Sequence, residues 1–137
     1  MKMIKMENEI RKQMETMGKL VDEYADSLKT KIEIDENIVQ LIDKMTKKEI
    51  KVKEEIYSEI DEVTGKKKHT NEEMRRNATN KQLEADEWYA GLKNQYEKLV
   101  KEDNNIKAEI DILNKKISIA KKQSELMIAL VELKKLR

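Results

Sequence analysis

The sequence predicts an all-α protein, and three observations carry the prediction. Charged residues make up 42% of the 137 residues and aromatics only 4%, with no Pro, Cys or Phe. Apolar residues, chiefly Ile, Leu, Val and Met, recur in alternating steps of three and four along two long stretches. One short break containing Gly and Lys separates the stretches. High charge with Glu, Lys, Leu and Ile in excess is the composition of long helices and coiled coils. The same charge without periodicity would mean disorder. The expected architecture is an antiparallel helical hairpin of two long coiled-coil-type helices in one domain, 1–137, assembled into an oligomeric bundle.

Helix one is expected over about 2–63. Its seam runs Ile10, Met14, Met17, Val21, Tyr24, Leu28, Lys31, Asp35, Ile38, Ile42, Met45, Glu49, Val52, Ile56, Glu59, Val63. Twelve of those sixteen are apolar, against about six at the chain's 38% apolar content. Where the seam fails, an apolar neighbour stands beside it: Ile32 by Lys31, Ile50 by Glu49, Ile60 by Glu59. Leu20, Ile34 and Leu41 add a further flank. The stripe is wider than a two-stranded seam needs and suits a bundle of more helices.

The turn is expected at 64–70. Gly65 can take the left-handed conformation that ends a helix. Thr70 with Glu73 three residues on forms a capping box for the next helix. Gly18 and Gly91 lie inside periodic segments without a cap beside them.

Helix two is expected over about 71–136. Its seam runs Tyr89, Leu92, Tyr96, Leu99, Asp103, Ile106, Ile110, Leu113, Ile117, Ala120, Ser124, Met127, Val131, of which eleven of thirteen are apolar. Before Tyr89 the seam is weaker, with Met74, Ala78, Ala85 and Trp88 as its candidates. Asp103-Asn104-Asn105, poor helix formers, mark a kink or frayed turn. Two stretches of near-equal length around a short turn favour an antiparallel hairpin. Each arm would run about 90–100 Å at 1.5 Å per residue.

Composition narrows the function classes. A net charge of +1 argues against both an acidic nucleic-acid mimic and a basic protein that coats DNA. The absence of Cys excludes disulfides and thiolate metal sites and fits a reducing compartment. The first residues lack a signal-peptide apolar run, and the longest apolar run, Leu126 to Val131, is far too short to span a membrane. These features fit a cytoplasmic protein. There is one His, no phosphate loop and no converging nucleophile and base, so no enzyme, metal or cofactor is expected. The carboxylates alternate with Lys at helical spacing and read as solvated faces.

Three groups of residues are the binding candidates. Lys66, Lys67, Lys68, His69, Arg75 and Arg76 form a basic tip suited to a phosphate or an acidic surface, beside a helix N-terminus that favours anions. The bland alternative is a solvated turn with an exposed His69. Trp88 and Tyr89 are candidate anchors, although packing near Lys44 to Lys48 is the commoner use of such residues. Leu126, Met127, Ile128, Leu130 and Val131, with Met3 and Ile4, are the oligomer-interface candidates. That end is apolar on nearly every face, and two helices cannot cover it.

The run Gly65-Lys66-Lys67-Lys68-His69-Thr70-Asn71-Glu72-Glu73-Met74-Arg75-Arg76, followed by Leu83, Asp86, Tyr89 and Leu92, resembles small coiled-coil early proteins of bacteriophages and mobile elements from low-GC Gram-positive bacteria. Those proteins have a basic Gly-Lys-Lys turn, a Thr/Ser-Asn-Glu helix start and a leucine-bearing helix, and most have no assigned activity. The likeness spans about 30 residues of this chain and is largely a helix stop and start. It implies either an inhibitor of host defence or nuclease machinery, or an accessory factor in DNA metabolism, in the host cytoplasm. The first expectation is therefore a non-enzymatic module that binds itself and a larger protein. The second is a nucleic-acid-binding recombination or replication accessory that uses the tip. The third is a structural rod or spacer.

Overall fold

The computed structural model describes residues 2–136, with side chains from residue 4 onward. Three helices follow one another: α1 (Lys2–Ser58), α2 (Glu72–Ala85) and α3 (Glu87–Lys135). Among the described residues, β-type pairing is confined to one antiparallel bridge between Ile60 and Lys67. The protein is all-helical, as the periodicity requires. The chain divides into two compact units: a terminal unit, Met1–Glu33 with Asp103–Arg137, and a central unit, Ile34–Glu102.

In the terminal unit, α1 turns inward the row Met6, Ile10, Gln13, Met17, Leu20, Tyr24, Ser27, Lys31. The α3 row is Asp103, Ile106, Ile110, Leu113, Ile117, Ala120, Ser124, Met127, Val131. Gln13 Nε2 donates to the Ala120 carbonyl (3.2 Å) and to Gln123 Oε1 (3.0 Å). Lys31 Nζ pairs with Asp103 Oδ1 at 2.7 Å. Rising numbers on α1 thus meet falling numbers on α3, so the two segments run antiparallel.

In the central unit the α1 row continues as Ile34, Ile38, Leu41, Met45, Lys48, Val52, Ile56. Val52 is 1% exposed and forms a closed cluster with Ile56 and Leu83, sealed by Tyr57, Ala78 and Tyr89. Gln82 Nε2 donates to Glu55 Oε2 (3.2 Å), Lys48 pairs with Asp86 (3.0 Å), and the Tyr89 hydroxyl donates to Glu49 Oε1. These segments are antiparallel too, which is the pattern of a helical hairpin.

The structure corrects several expectations. On α1 every second member of the expected seam from Met14 to Ile42 is displaced by one residue, whereas Ile56 is buried as expected. Gln13, Leu20, Ser27, Ile34, Leu41 and Lys48 face inward, while Met14, Val21, Leu28, Asp35 and Ile42 face solvent. The reason lies across the interface, where Gln13 and Lys48 each find a polar partner. Helix α1 ends at Ser58 rather than 63, with Ser58 Oγ donating back to the Glu54 and Glu55 carbonyls (2.9 and 3.1 Å). Val63, expected on the seam, is 94% exposed in the loop. The cap of α2 is Asn71, not Thr70: its Oδ1 accepts from the Met74 N–H at 2.8 Å, and the Thr70 hydroxyl points to the Met74 sulfur instead.

Helix α3 passes through Asp103-Asn104-Asn105 without a break. Asp103 is buried there, bridging Lys31 and Lys107 (2.7 and 2.8 Å), so its charge is paired inside the helix pair. The expected continuous second helix breaks at Asp86 instead. The Asp86 N–H donates to the Leu83 carbonyl (3.1 Å), closing α2, and Asp86 Oδ1 accepts from the Tyr89 N–H (2.8 Å), capping α3. Of the weak seam candidates before Tyr89, Met74, Ala85 and Trp88 are exposed. Thr79 and Leu83 take the buried positions.

Candidate interaction surfaces

The tip is a small folded hairpin rather than a loose turn. Asp61 N–H donates to the Lys66 carbonyl (2.8 Å), Gly65 N–H to the Asp61 carbonyl (2.8 Å) and Lys68 N–H to the Glu59 carbonyl (2.9 Å). Asp61 Oδ1 accepts from the Val63 and Thr64 N–H groups (2.8 and 3.3 Å), which tightens the loop 62–65. Gly65 has φ +67°, so it does adopt the left-handed conformation, but it closes this hairpin and not the helix end.

The six basic candidates separate into two kinds. Lys66, Lys67, Lys68 and Arg76 are exposed. His69 and Arg75 are structural. His69 Nε2 donates to Glu59 Oε2 (2.9 Å), and its side chain is 13% exposed, contrary to the exposed His expected. Arg75 Nε donates to the His69 carbonyl (3.2 Å), and its guanidinium lies 4.7 Å from the centroid of the Tyr57 ring. These contacts fasten the hairpin to α1 and α2. Glu72 and Glu73 occupy the first turn of α2, where the helix dipole favours negative charge.

The joint between α2 and α3 is the second surface. Asp86 is held below its ordinary carboxylate range, first by the Tyr89 N–H and then by Lys48. Tyr89 is pushed up to about 12 by burial and by its bond to Glu49, so it stays a neutral donor. Trp88 and Tyr89 therefore divide their roles: Tyr89 packs on the Val52 cluster, whereas Trp88 is 56% exposed. Trp88 lies in an open groove with Lys44, Lys47, Lys48 and Lys51, spaced along one face of α1, and Lys48 Nζ stands 5.9 Å from its ring centroid. Two of these lysines have acidic partners, Lys47 with Asp43 (2.9 Å) and Lys48 with Asp86. Composition alone could not reveal this shelf, because it depends on where Asp86 breaks the helix.

The third surface is apolar and lies in the terminal unit. On α3, Ile112, Ile119, Leu126 and Leu133 recur every seven residues and are 53, 57, 63 and 60% exposed. Ile128 and Leu130 are also exposed, as is Ile4 on α1. Among the other interface candidates, Val131 is buried and Met127 half-buried, both on the inward row of α3. Met3 lies outside the described side chains. Leu126 and Leu130 belong to the local apolar run that marks this end in the sequence. Ile112, Ile119 and Leu133 lie outside that run, and their signal is a seven-residue spacing.

Among the described residues, no group of three or more His, Asp or Glu side chains is placed to hold a metal ion. No helix in that range is long and apolar enough to cross a membrane. Comparison with family models, curated proteins and solved structures finds no match to this chain.

Proposed function

We propose that this chain is a non-enzymatic, coiled-coil-type interaction protein that docks on a larger protein and associates with itself. The observation that supports it most is the α3 row Ile112, Ile119, Leu126, Leu133. Four large aliphatic residues at heptad spacing, more than half exposed, form the kind of stripe that a partner helix or apolar groove covers. In water such a stripe is unfavourable and promotes association. The resemblance at residues 65–92 extends the proposal to a phage-encoded inhibitor acting in the host cytoplasm on defence or nuclease machinery.

The test is affinity capture from a nuclease-treated lysate of a low-GC Gram-positive host, with wild type and a Leu126→Glu, Leu133→Glu variant side by side. A stoichiometric protein retained by wild type and lost by the variant is the expected result. Capture that is identical for both proteins would sink the reading.

A second reading has its own support. Exposed Trp88 above Lys44, Lys47 and Lys51 offers the stacking face that the tip lacks, and single-strand binding combines an aromatic platform with basic side chains. On this reading the tip lysines add phosphate contacts. Three or four of them would give a log–log salt slope of about −2 to −4. Replacing Lys66, Lys67 and Lys68 with Gln would flatten that slope, and Trp88→Ala would weaken binding without changing it. If the wild type shows no single-strand binding at physiological salt, this reading falls.

A further inference from the structure

Helix α1 carries a second heptad row that the intrachain packing does not use. Within the terminal unit it runs Met14, Gly18, Val21, Ala25, Leu28, Ile32, in unbroken steps of four and three over about 27 Å. Every one of these residues is exposed: Met14 by 58%, Val21 by 46%, Leu28 by 38% and Ile32 by 58%. A side chain at Gly18 would meet nothing within 4 Å, so no intrachain contact explains a glycine inside this helix. Gly18 and Ala25 keep the row shallow enough for another helix to approach.

We propose that this row is the site at which a second copy of the chain docks, α1 against α1, antiparallel about a twofold axis between Asp26 and Ser27. A twofold interface must be self-complementary, each residue i meeting j and j meeting i. The stretch of the row from Val21 to Ile32 meets that condition. With the axis there, Ala25 faces Leu28 of the other copy and Val21 faces Ile32, so each layer sets a smaller side chain against a larger one. Each layer then occurs twice. On the flank of the row, Asp22 comes opposite Lys29 of the other copy, again twice. A parallel, in-register pairing lacks both features. It stacks Ala25 on Ala25 and Leu28 on Leu28, and it sets Asp22 and Lys29 near Met17 and Tyr24, which offer no opposite charge. Between Val21 and Ile32, charge and volume thus both select an antiparallel second copy as the occupant.

The inference rests on the self-association half of the proposed function and leaves the α3 row free for a different partner. Sedimentation of the full chain across the micromolar range tests it. The expected species is a dimer. Val21→Glu with Leu28→Glu should weaken it by at least about a hundredfold. Helicity should not change, because both positions are exposed in the single chain. Lys29→Asp should weaken the dimer by up to about tenfold by setting like charges together, and Asp22→Lys with Lys29→Asp should restore it.

A nitroxide on Lys12→Cys in this Cys-free chain reads the orientation. The antiparallel pair places two labels about 45 Å apart, whereas a parallel pair places them within about 30 Å. A monomer throughout the range, an oligomer indifferent to Val21 and Leu28, or the short label distance would each overturn the proposal. Loss of the dimer interface without loss of partner capture would separate this site from the α3 row.

Discussion

The central and terminal units solve the same problem differently. In the central unit, α2, the tip hairpin and the joint at Asp86 bring Tyr57, Ala78, Leu83 and Tyr89 around Val52 and Ile56, and the cluster closes on itself. In the terminal unit one stretch of α1 lies against one stretch of α3. Ile106, Leu113, Ala120 and Val131 are buried between them, but Met14, Val21, Leu28, Ile32, Ile112, Ile119, Leu126 and Leu133 remain exposed. Two helices present more apolar surface than they can cover, whereas a few aromatic side chains at a bend suffice to seal a core. The central unit thus encloses a core of its own, although Val39, Ile42, Ile50, Ile60 and Trp88 stay exposed on it, whereas the terminal unit leaves two apolar rows in water.

Breaking the central cluster should have the largest effect. Val52→Ala leaves a cavity where the surroundings are tightly packed and should cost about 2–3 kcal/mol in denaturant unfolding. Ile119→Ala, on an exposed ridge, should change the stability of the dilute chain by less than about 0.5 kcal/mol. Equal losses at the two sites would contradict the contrast between the units.

The next test concerns Asp103, the polar layer inside the terminal unit. Lys107, and then Lys31, hold its carboxyl below the ordinary 3.8. A group with a depressed folded pKa contributes stability that is fully present above the unfolded value. That contribution is lost as pH falls through the lower, folded value. Wild type should thus lose thermal stability below about pH 4. Asp103→Asn should be less stable than wild type at neutral pH, and its acid branch should be flatter. Thermal melts between pH 2 and 7 read both effects. An unchanged acid branch would remove Asp103 from the account.

The smaller expected effect is at the start of α2. Asn71→Ala removes the acceptor of the Met74 N–H and should cost about 1 kcal/mol, whereas Thr70→Ala, off the cap, should cost less. If Thr70 proved the more costly, the cap assignment would be reversed.

The two long helices were not equally legible. All thirteen members of the α3 row turn inward where the spacing placed them, even Asp103 and Ser124, while their apolar neighbours Ile112, Ile119 and Leu126 stay exposed. On α1 the same method followed hydrophobicity to Met14, Val21, Leu28 and Ile42. The chain turns Gln13, Leu20, Ser27 and Leu41 inward instead. Gln13, with Lys31 and Lys48, is satisfied by groups more than thirty residues away in sequence, and one-helix periodicity cannot see them. Met14, Val21 and Leu28 then fall on the second row, while Ile10, Met17, Tyr24, Ile38, Met45, Val52 and Ile56 turn inward as the spacing placed them.

Local signals fared similarly. Gly65 was recognised as left-handed, but its hairpin depends on Asp61 and on Glu59 reaching His69. The break at Asp86 had no Gly or Pro to announce it. It is fixed by one carboxylate that caps α3 and pairs with Lys48. The exposure of Trp88 follows from that break and was hidden for the same reason.

Hydrogen exchange of the full chain, measured at two concentrations a hundredfold apart, tests the central contrast most directly. If the terminal unit is completed by association, amides of residues 14–32 and 106–131 should gain protection at the higher concentration. Amides around Val52, Ile56 and Leu83 should be equally protected at both. Protection that is independent of concentration in both units would contradict the proposal that association covers the exposed rows of the terminal unit.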